Sequence, residues 1–160
     1  MFKPKIESNL VHHIILYQCS NLDDHEGYFS CFNAPRSCTF MAGWAPGVDK
    51  QVLPKEAGFR VGNPSSNNDK FVLQIHYNNP HHLQNATDSS GLEMYYTSHF
   101  RKYDAGIMTL GSVKFEIPPG KYKYEVAMAC NSFCTNKQHG PIYAFSTIHH
   151  AHCLYYNLHF

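Results

Sequence analysis

Charged side chains are scarce in this sequence: they make up 16% of its 160 residues, and the formal net charge is only +1. No basic field is present that could hold nucleic acid, so a nucleic-acid partner is excluded. No apolar run approaches the length of a transmembrane helix, so no membrane segment of that kind is expected in this chain. The first ten residues contain no apolar core of a signal peptide, so none is expected here.

Helical periodicity is also almost absent, and alternation with a period of two takes its place. Strand patterns separated by turns rich in Gly, Pro and Asn recur along the chain at residues 11–19, 71–77, 91–97, 122–128 and 142–152. Residues 44–47 (WAPG) predict a further turn. Many short strands between such turns are typical of an antiparallel β-sandwich, so we predict an all-β fold.

The polar segment 81–90 separates two strand-rich halves of the chain. It predicts an N-terminal domain at 1–80, a linker at 81–90 and a C-terminal domain at 91–160. The linker carries an N-glycosylation sequon at Asn85, followed by Ala86 and Thr87. A hydrophobic content of 43% is enough for a packed core.

Six cysteines are many for a cytosolic protein of this length. Together with the sequon they indicate a secretory lumen or an extracellular setting, and a chain that lacks its own beginning would reconcile this with the missing signal peptide. The reasoning leaves open how Cys31, Cys130, Cys134 and Cys153 pair. Cys130 and Cys134 are either core cysteines, zinc ligands or partners of distant cysteines, and residues four apart on one regular strand are too distant to bond to each other.

Histidine is unusually frequent, with twelve residues, and five of them fall in strand-like segments: His12, His13, His76, His150 and His152. Imidazole is the commonest protein ligand for copper, zinc and iron. A His-x-His pair on a strand places both rings on one face, so His150 and His152 form a natural chelate.

Each histidine site also has a structural interpretation. Neighbours such as His12 and His13 point to opposite faces of a regular strand, so they share an ion only if a bulge distorts the strand; otherwise one is buried and the other exposed. His76 alone fits a hydrogen-bonded structural histidine, and His150 and His152 fit the solvent face of an edge strand. Taken together, three nitrogens with open positions suit a redox copper or a catalytic zinc, and the spacing does not choose between the metals.

Several segments in a fixed order resemble the copper type II, ascorbate-dependent monooxygenases, most closely the dopamine beta-hydroxylase-like branch. They are VHHIILYQCS at 11–20, WAPG at 44–47, FVLQIHYNNP at 71–80, DSSGLEMYYT at 88–97, RKYDAGIMTLG at 101–111, IPPG at 117–120 and FSTIHHAH at 145–152. The resemblance implies two jelly-roll β-sandwich domains, each with one copper. In that family, ascorbate supplies electrons and O₂ converts a C–H bond to C–OH, here of a small, phenethylamine-like amine.

The resemblance also assigns the ligands. It implies that His12, His13 and His76 bind the first, electron-supplying copper, and that His150 and His152 bind the second copper, where O₂ and substrate meet. The oligomeric state is left open.

By the same resemblance, Cys19 pairs with Cys38. The family's third ligand to the second copper, a methionine, follows the His-x-His pair, but no methionine follows His152 here. Ile148 replaces an arginine that anchors the substrate carboxylate in the peptide-hydroxylating branch, which argues against a peptide substrate.

These departures imply a truncated chain with two partial domains, which binds copper at the first site and turns over poorly. Two alternatives remain. One is a catalytically inactive, truncated copper-binding isoform of the family. The other is an extracellular β-sandwich whose histidines are structural or bind zinc.

Overall fold

The computed structural model describes residues 1–20, 27–30, 37–62, 70–111, 114–129, 131–132 and 141–149. This part of the chain is all-β with almost no helix, as the sequence predicts. Its strands are β1 (Phe2–Lys5), β2 (Val11–Cys19), β3 (Cys38–Trp44), β4 (Ala57–Gly58), β5 (Lys70–Tyr77), β6 (Gly91–Met94) and β7 (Tyr103–Asp104). None of the described residues forms a helix that is long and apolar enough to cross a membrane.

A three-stranded sheet with the order β3-β2-β5 forms the centre of the fold. Its middle strand, β2, is a run of β-branched, aliphatic and aromatic residues that suits a strand paired on both sides. Both of its pairings are antiparallel. The β1–β6 pair is antiparallel as well, whereas the two-residue pair β4–β7 is parallel. The predicted antiparallel architecture is therefore confirmed for all but this shortest pair.

One face of the central sheet is covered by the β1–β6 pair. Its buried residues are Phe2, Leu16, Met41 and Ala42, and Leu92 and Met94 of β6 pack against them. Met41 and Ala42 both point into this core because a bulge leaves Met41 without a partner between Leu16↔Ala42 and Tyr17↔Phe40. Met41 is only 1% exposed, and burying a side chain of its size contributes roughly 1.5–3 kcal/mol.

The opposite face of the sheet carries a second core of Tyr17, Cys19 and Val72. The rings of Tyr17 and Phe40 meet edge to face, with their centroids 6.1 Å apart. Because side chains alternate along β2, His13 lies on this same face, at the opposite end of the strand from Cys19.

The chain divides into two compact units, Met1–Ile107 and Met108–Phe160, and all the named strands belong to the first. Described residues 114–129 and 141–149 of the second unit form no strand, so the strands predicted at 122–128 and over 142–149 are not found. Alternation specifies the face on which a side chain lies, but a strand also needs a neighbour for its backbone hydrogen bonds. The jelly-roll topology and the linker at 81–90 stay predictions.

Candidate metal centre

A β-bulge brings the tandem histidines of β2 together. In the pairing with β5, Val11 lies opposite Tyr77 and His13 opposite His76, so His12 is an extra residue without a partner. A bulge of this kind bends the strand and increases its twist, which cancels the usual alternation of neighbouring side chains. His12 and His13 therefore both turn toward His76. The distortion that joint metal binding requires is present.

The three imidazole rings form one compact cluster. Ring centroids are 5.2 Å apart for His12 and His13, 5.2 Å for His12 and His76, and 4.7 Å for His13 and His76. The Nδ1 atoms of His12 and His13 lie 2.9 Å apart. One nitrogen from each ring can be chosen so that all three lie within 4.8 Å of one another. The structure thus brings together the trio that the sequence proposes for the first site.

This donor set fits a metal ion. Nitrogens that are bound to one ion at about 2.0 Å lie no more than about 4 Å apart. Small rotations of the rings, which move the nitrogens by about an ångström, would therefore complete the site. His12 and His13 are half-buried and His76 is exposed, which leaves one side open to solvent. Among the described residues no other group of three His, Cys, Asp or Glu side chains meets the same criterion. Three neutral nitrogens suit copper or zinc, and the geometry does not separate the two.

Packing beside the cluster fixes the two strands that carry it. Ile14, which follows His13, is 0% exposed and lies opposite both Trp44 of β3 and Ile75 of β5. Three residues further along β2, the Tyr17 hydroxyl donates a hydrogen bond to Oε1 of Gln74 on β5 at 3.3 Å. The backbone on the core side of the histidines is therefore held by a close-packed sheet.

A polar network surrounds Tyr77, the residue that follows His76 on β5. The Tyr77 hydroxyl donates to Oδ2 of Asp88 at 2.9 Å, and the Ser90 hydroxyl donates to Oδ1 of the same carboxylate at 2.6 Å. The backbone N–H of Glu7 in turn donates to the Ser90 hydroxyl oxygen at 2.8 Å. The hydrogen bond from Ser90 is the main cause that lowers the pKa of Asp88, which keeps this carboxylate ionised at neutral pH. Loss of solvent around the Tyr77 hydroxyl is the main cause that raises the pKa of Tyr77, and the hydrogen bond to the negatively charged Asp88 raises it further.

Sequence reasoning did not identify this network. Aspartate and serine are common in any polar loop, and residues 88–90 carry no spacing signal that connects them to residue 7 or 77.

The predicted disulfide is present. Cys19 and Cys38 are bonded, with their Cα atoms 4.0 Å apart, and they face each other at the end of the β2–β3 pair. The bond cross-links the edge strand β3 to the central strand β2 at the end remote from the histidines.

The second predicted chelate, His150 and His152, lies outside the described residues, as do Cys31, Cys130, Cys134 and Cys153. Asn85 is described: it is exposed and has a left-handed backbone, with a φ of 56°. The loop before it is held by Asn79, whose side chain accepts a hydrogen bond from the N–H of Leu83 at 2.9 Å and donates one to its carbonyl at 3.1 Å. The sequon therefore lies on an exposed loop whose preceding turn is held by hydrogen bonds.

Comparison with known proteins gives matches along both units. Residues 1–84 match the N-terminal domain of copper type II ascorbate-dependent monooxygenases, and residues 103–159 match the C-terminal domain. DBH-like monooxygenase protein 1 of Gallus gallus is 37% identical over 92% of this chain and 27% of its own length. Dopamine beta-hydroxylase of Homo sapiens is 34% identical over 89% of the chain and 25% of its own length. Dopamine beta-hydroxylase of Bos taurus is 36% identical over 86% of the chain and 24% of its own length. The chain thus spans about a quarter of the length of these relatives.

Proposed function

The chain belongs to the copper type II, ascorbate-dependent monooxygenase family, and we propose that His12, His13 and His76 hold its first, electron-supplying copper. The observation that carries the proposal is the convergence of three imidazole nitrogens within 4.8 Å at a bulge. A copper ion held there would supply one-electron transfer, since imidazole binds both of its common oxidation states. The bulge aims the rings, and the sheet behind Ile14 keeps their backbone in place.

The exposure of His76 supports access for a small reductant from solvent. The family's description names its members ascorbate-dependent. We propose that ascorbate reaches this open side and reduces the first site one electron at a time. Among the described residues, no carboxylate or thiol joins the cluster.

We propose further that His150 and His152 are ligands of a second copper and that the reaction is hydroxylation of a small, phenethylamine-like amine. In this reaction one atom of O₂ enters a C–H bond and the other leaves as water, with two electrons from ascorbate and two protons. Ile148 is 54% exposed and offers no cation to pair with a carboxylate, which favours an amine over a peptide acid as substrate.

Copper titration of the 160-residue chain tests the first site. We expect one tightly bound Cu(II) per chain at His12, His13 and His76, with a type II EPR spectrum showing nitrogen coupling. Quenching of Trp44, the single tryptophan, should accompany binding, because Trp44 lies opposite Ile14 next to the site. Zinc that binds while Cu(I) and Cu(II) do not would contradict the copper assignment.

A turnover assay tests the reaction separately. Copper-loaded chain is mixed with phenethylamine, ascorbate and O₂, and the hydroxylated product is measured by mass spectrometry. Product formed in proportion to bound copper supports a monooxygenase. Tight copper binding without product supports the alternative, a catalytically inactive copper-binding isoform of the family.

The disulfide and the sequon together support an oxidising location, which we propose is the secretory lumen or the extracellular space. We also propose that Asn85 carries an N-linked glycan. Expression through the secretory pathway should give a chain that loses mass on treatment with an N-glycosidase. Asn85→Gln should abolish the shift and Asn131→Gln should not, since Asn131 is not part of a sequon: Phe133 stands where Ser or Thr is required. A shift that survives Asn85→Gln would contradict the assignment.

A further inference from the structure

We propose that Asp88 is a positioning residue for the three-histidine cluster: it acts through Tyr77 to fix the end of β5 beside His76. The claim that the cluster binds copper rests on the function proposed above. The claim that Asp88 keeps the rings together does not, because ring positions can be measured without metal.

The contacts form one connected path. Asp88 accepts hydrogen bonds from the Tyr77 hydroxyl at 2.9 Å and from the Ser90 hydroxyl at 2.6 Å. The Ser90 hydroxyl oxygen in turn accepts a hydrogen bond from the backbone N–H of Glu7 at 2.8 Å. Hydrogen bonds to an ionised carboxylate are shorter and stronger than those between neutral groups. Ser90 is 9% exposed, and in the described part of the chain it is the single polar residue that is buried. The path therefore joins β5 to the segment that leads into β2.

One end of this path, Tyr77, lies beside the bulge, and the other, Glu7, lies on the segment before β2. Tyr77 pairs with Val11, the last pair before the unpaired His12, and the N–H of Asn78 donates to the carbonyl of Leu10 at 2.7 Å. Glu7 lies a few residues before Leu10 on the same segment. The network thus tethers both strands one pair beyond His13 and His76, on the side away from the packed core.

That end of the ladder needs such a restraint. A bulge disrupts the local ladder, and the terminal pairs of a sheet open at little cost in free energy. Opening there would separate His76 from His12 and His13. It would leave Ile14 and Leu16, which are 0% and 7% exposed, packed in the sheet. Loss of Asp88 should therefore loosen the rings without unfolding the unit.

Two variants with a matched control test this inference in the 160-residue chain. Tyr77→Phe and Asp88→Ala remove the network. Tyr95→Phe is the control, because its hydroxyl also donates to a carboxylate, Glu93 at 3.1 Å, and its exposure of 52% matches the 46% of Tyr77. We expect both network variants to weaken Cu(II) binding about tenfold, as changes around metal ligands do, and to add a second EPR species. The control should behave as the wild type does.

A metal-free measurement separates this inference from the proposed function. The ring centroids of His13 and His76 are 4.7 Å apart, so nuclear Overhauser effects between their ring protons report the convergence directly. Weaker effects in Tyr77→Phe and Asp88→Ala, with unchanged Trp44 fluorescence, would support the inference even if the wild type bound no copper. Wild-type effects in both variants would overturn it. Loss of the folded Trp44 signal in Tyr77→Phe would also overturn it, since the role would then be to hold the fold.

Discussion

Replacing His76 with alanine is expected to weaken copper binding at the proposed first site roughly a hundredfold or more. Four-ligand zinc sites bind with about 10–16 kcal/mol, so one ligand accounts for about 3 kcal/mol, and each 1.4 kcal/mol is a factor of ten. His76 is exposed, so its removal leaves no buried cavity and the sheet should stay folded. Competition with a chelator of known affinity measures the loss, and the Trp44 emission checks the fold.

His99→Ala is the matched control for this variant. His99 is likewise exposed and belongs to the same unit, but it lies outside the cluster. The control should keep wild-type affinity and the wild-type EPR spectrum. If His76→Ala kept both as well, the trio would not be the ligand set, and the convergence of the rings would have a structural explanation only.

The sequence predicted the part of this site that follows from local patterns. β2 and β5 were recognisable because apolar and β-branched residues run between clear turn signals, and the observed strands Val11–Cys19 and Lys70–Tyr77 lie where they were expected. The bulge followed from a stereochemical argument: adjacent histidines share an ion only if the strand is distorted. The partnership of these histidines with the distant His76, and that of Cys19 with Cys38, came from the family resemblance.

Other elements depended on contacts that no local pattern encodes. The four-residue strand β1 contains Pro4, and its partner β6 begins at Gly91, far along the chain. β3 escaped prediction because the bulge at Met41 sends two neighbouring residues into one core. On β5 the more apolar face is the more exposed, since Phe71 and Leu73 are each 41% exposed whereas Val72 is 7% exposed. Tertiary packing decides such cases, and strand propensity does not.

Removing the disulfide is expected to have the largest effect on stability. Cys19→Ala with Cys38→Ala should lower the free energy of unfolding of the Met1–Ile107 unit by about 3 kcal/mol, because a cross-link over 19 residues restricts the unfolded chain by that amount. Cys19 is also 0% exposed, so the smaller alanine adds a packing loss. Urea unfolding followed by Trp44 fluorescence measures the change, since this single tryptophan lies at the end of β3.

Reducing conditions separate the two contributions. The reduced wild type keeps both sulfur atoms in the core, so its difference from the reduced double variant is the packing loss alone. The proposed copper site provides a second check, because six residues of extended β2 place Cys19 about 20 Å from His13. Copper affinity should therefore change less than tenfold while stability falls. An oxidised wild type no more stable than the double variant would contradict the prediction. A much larger loss of copper affinity in the folded double variant would mean that the histidine end of β2 depends on the disulfide at its other end.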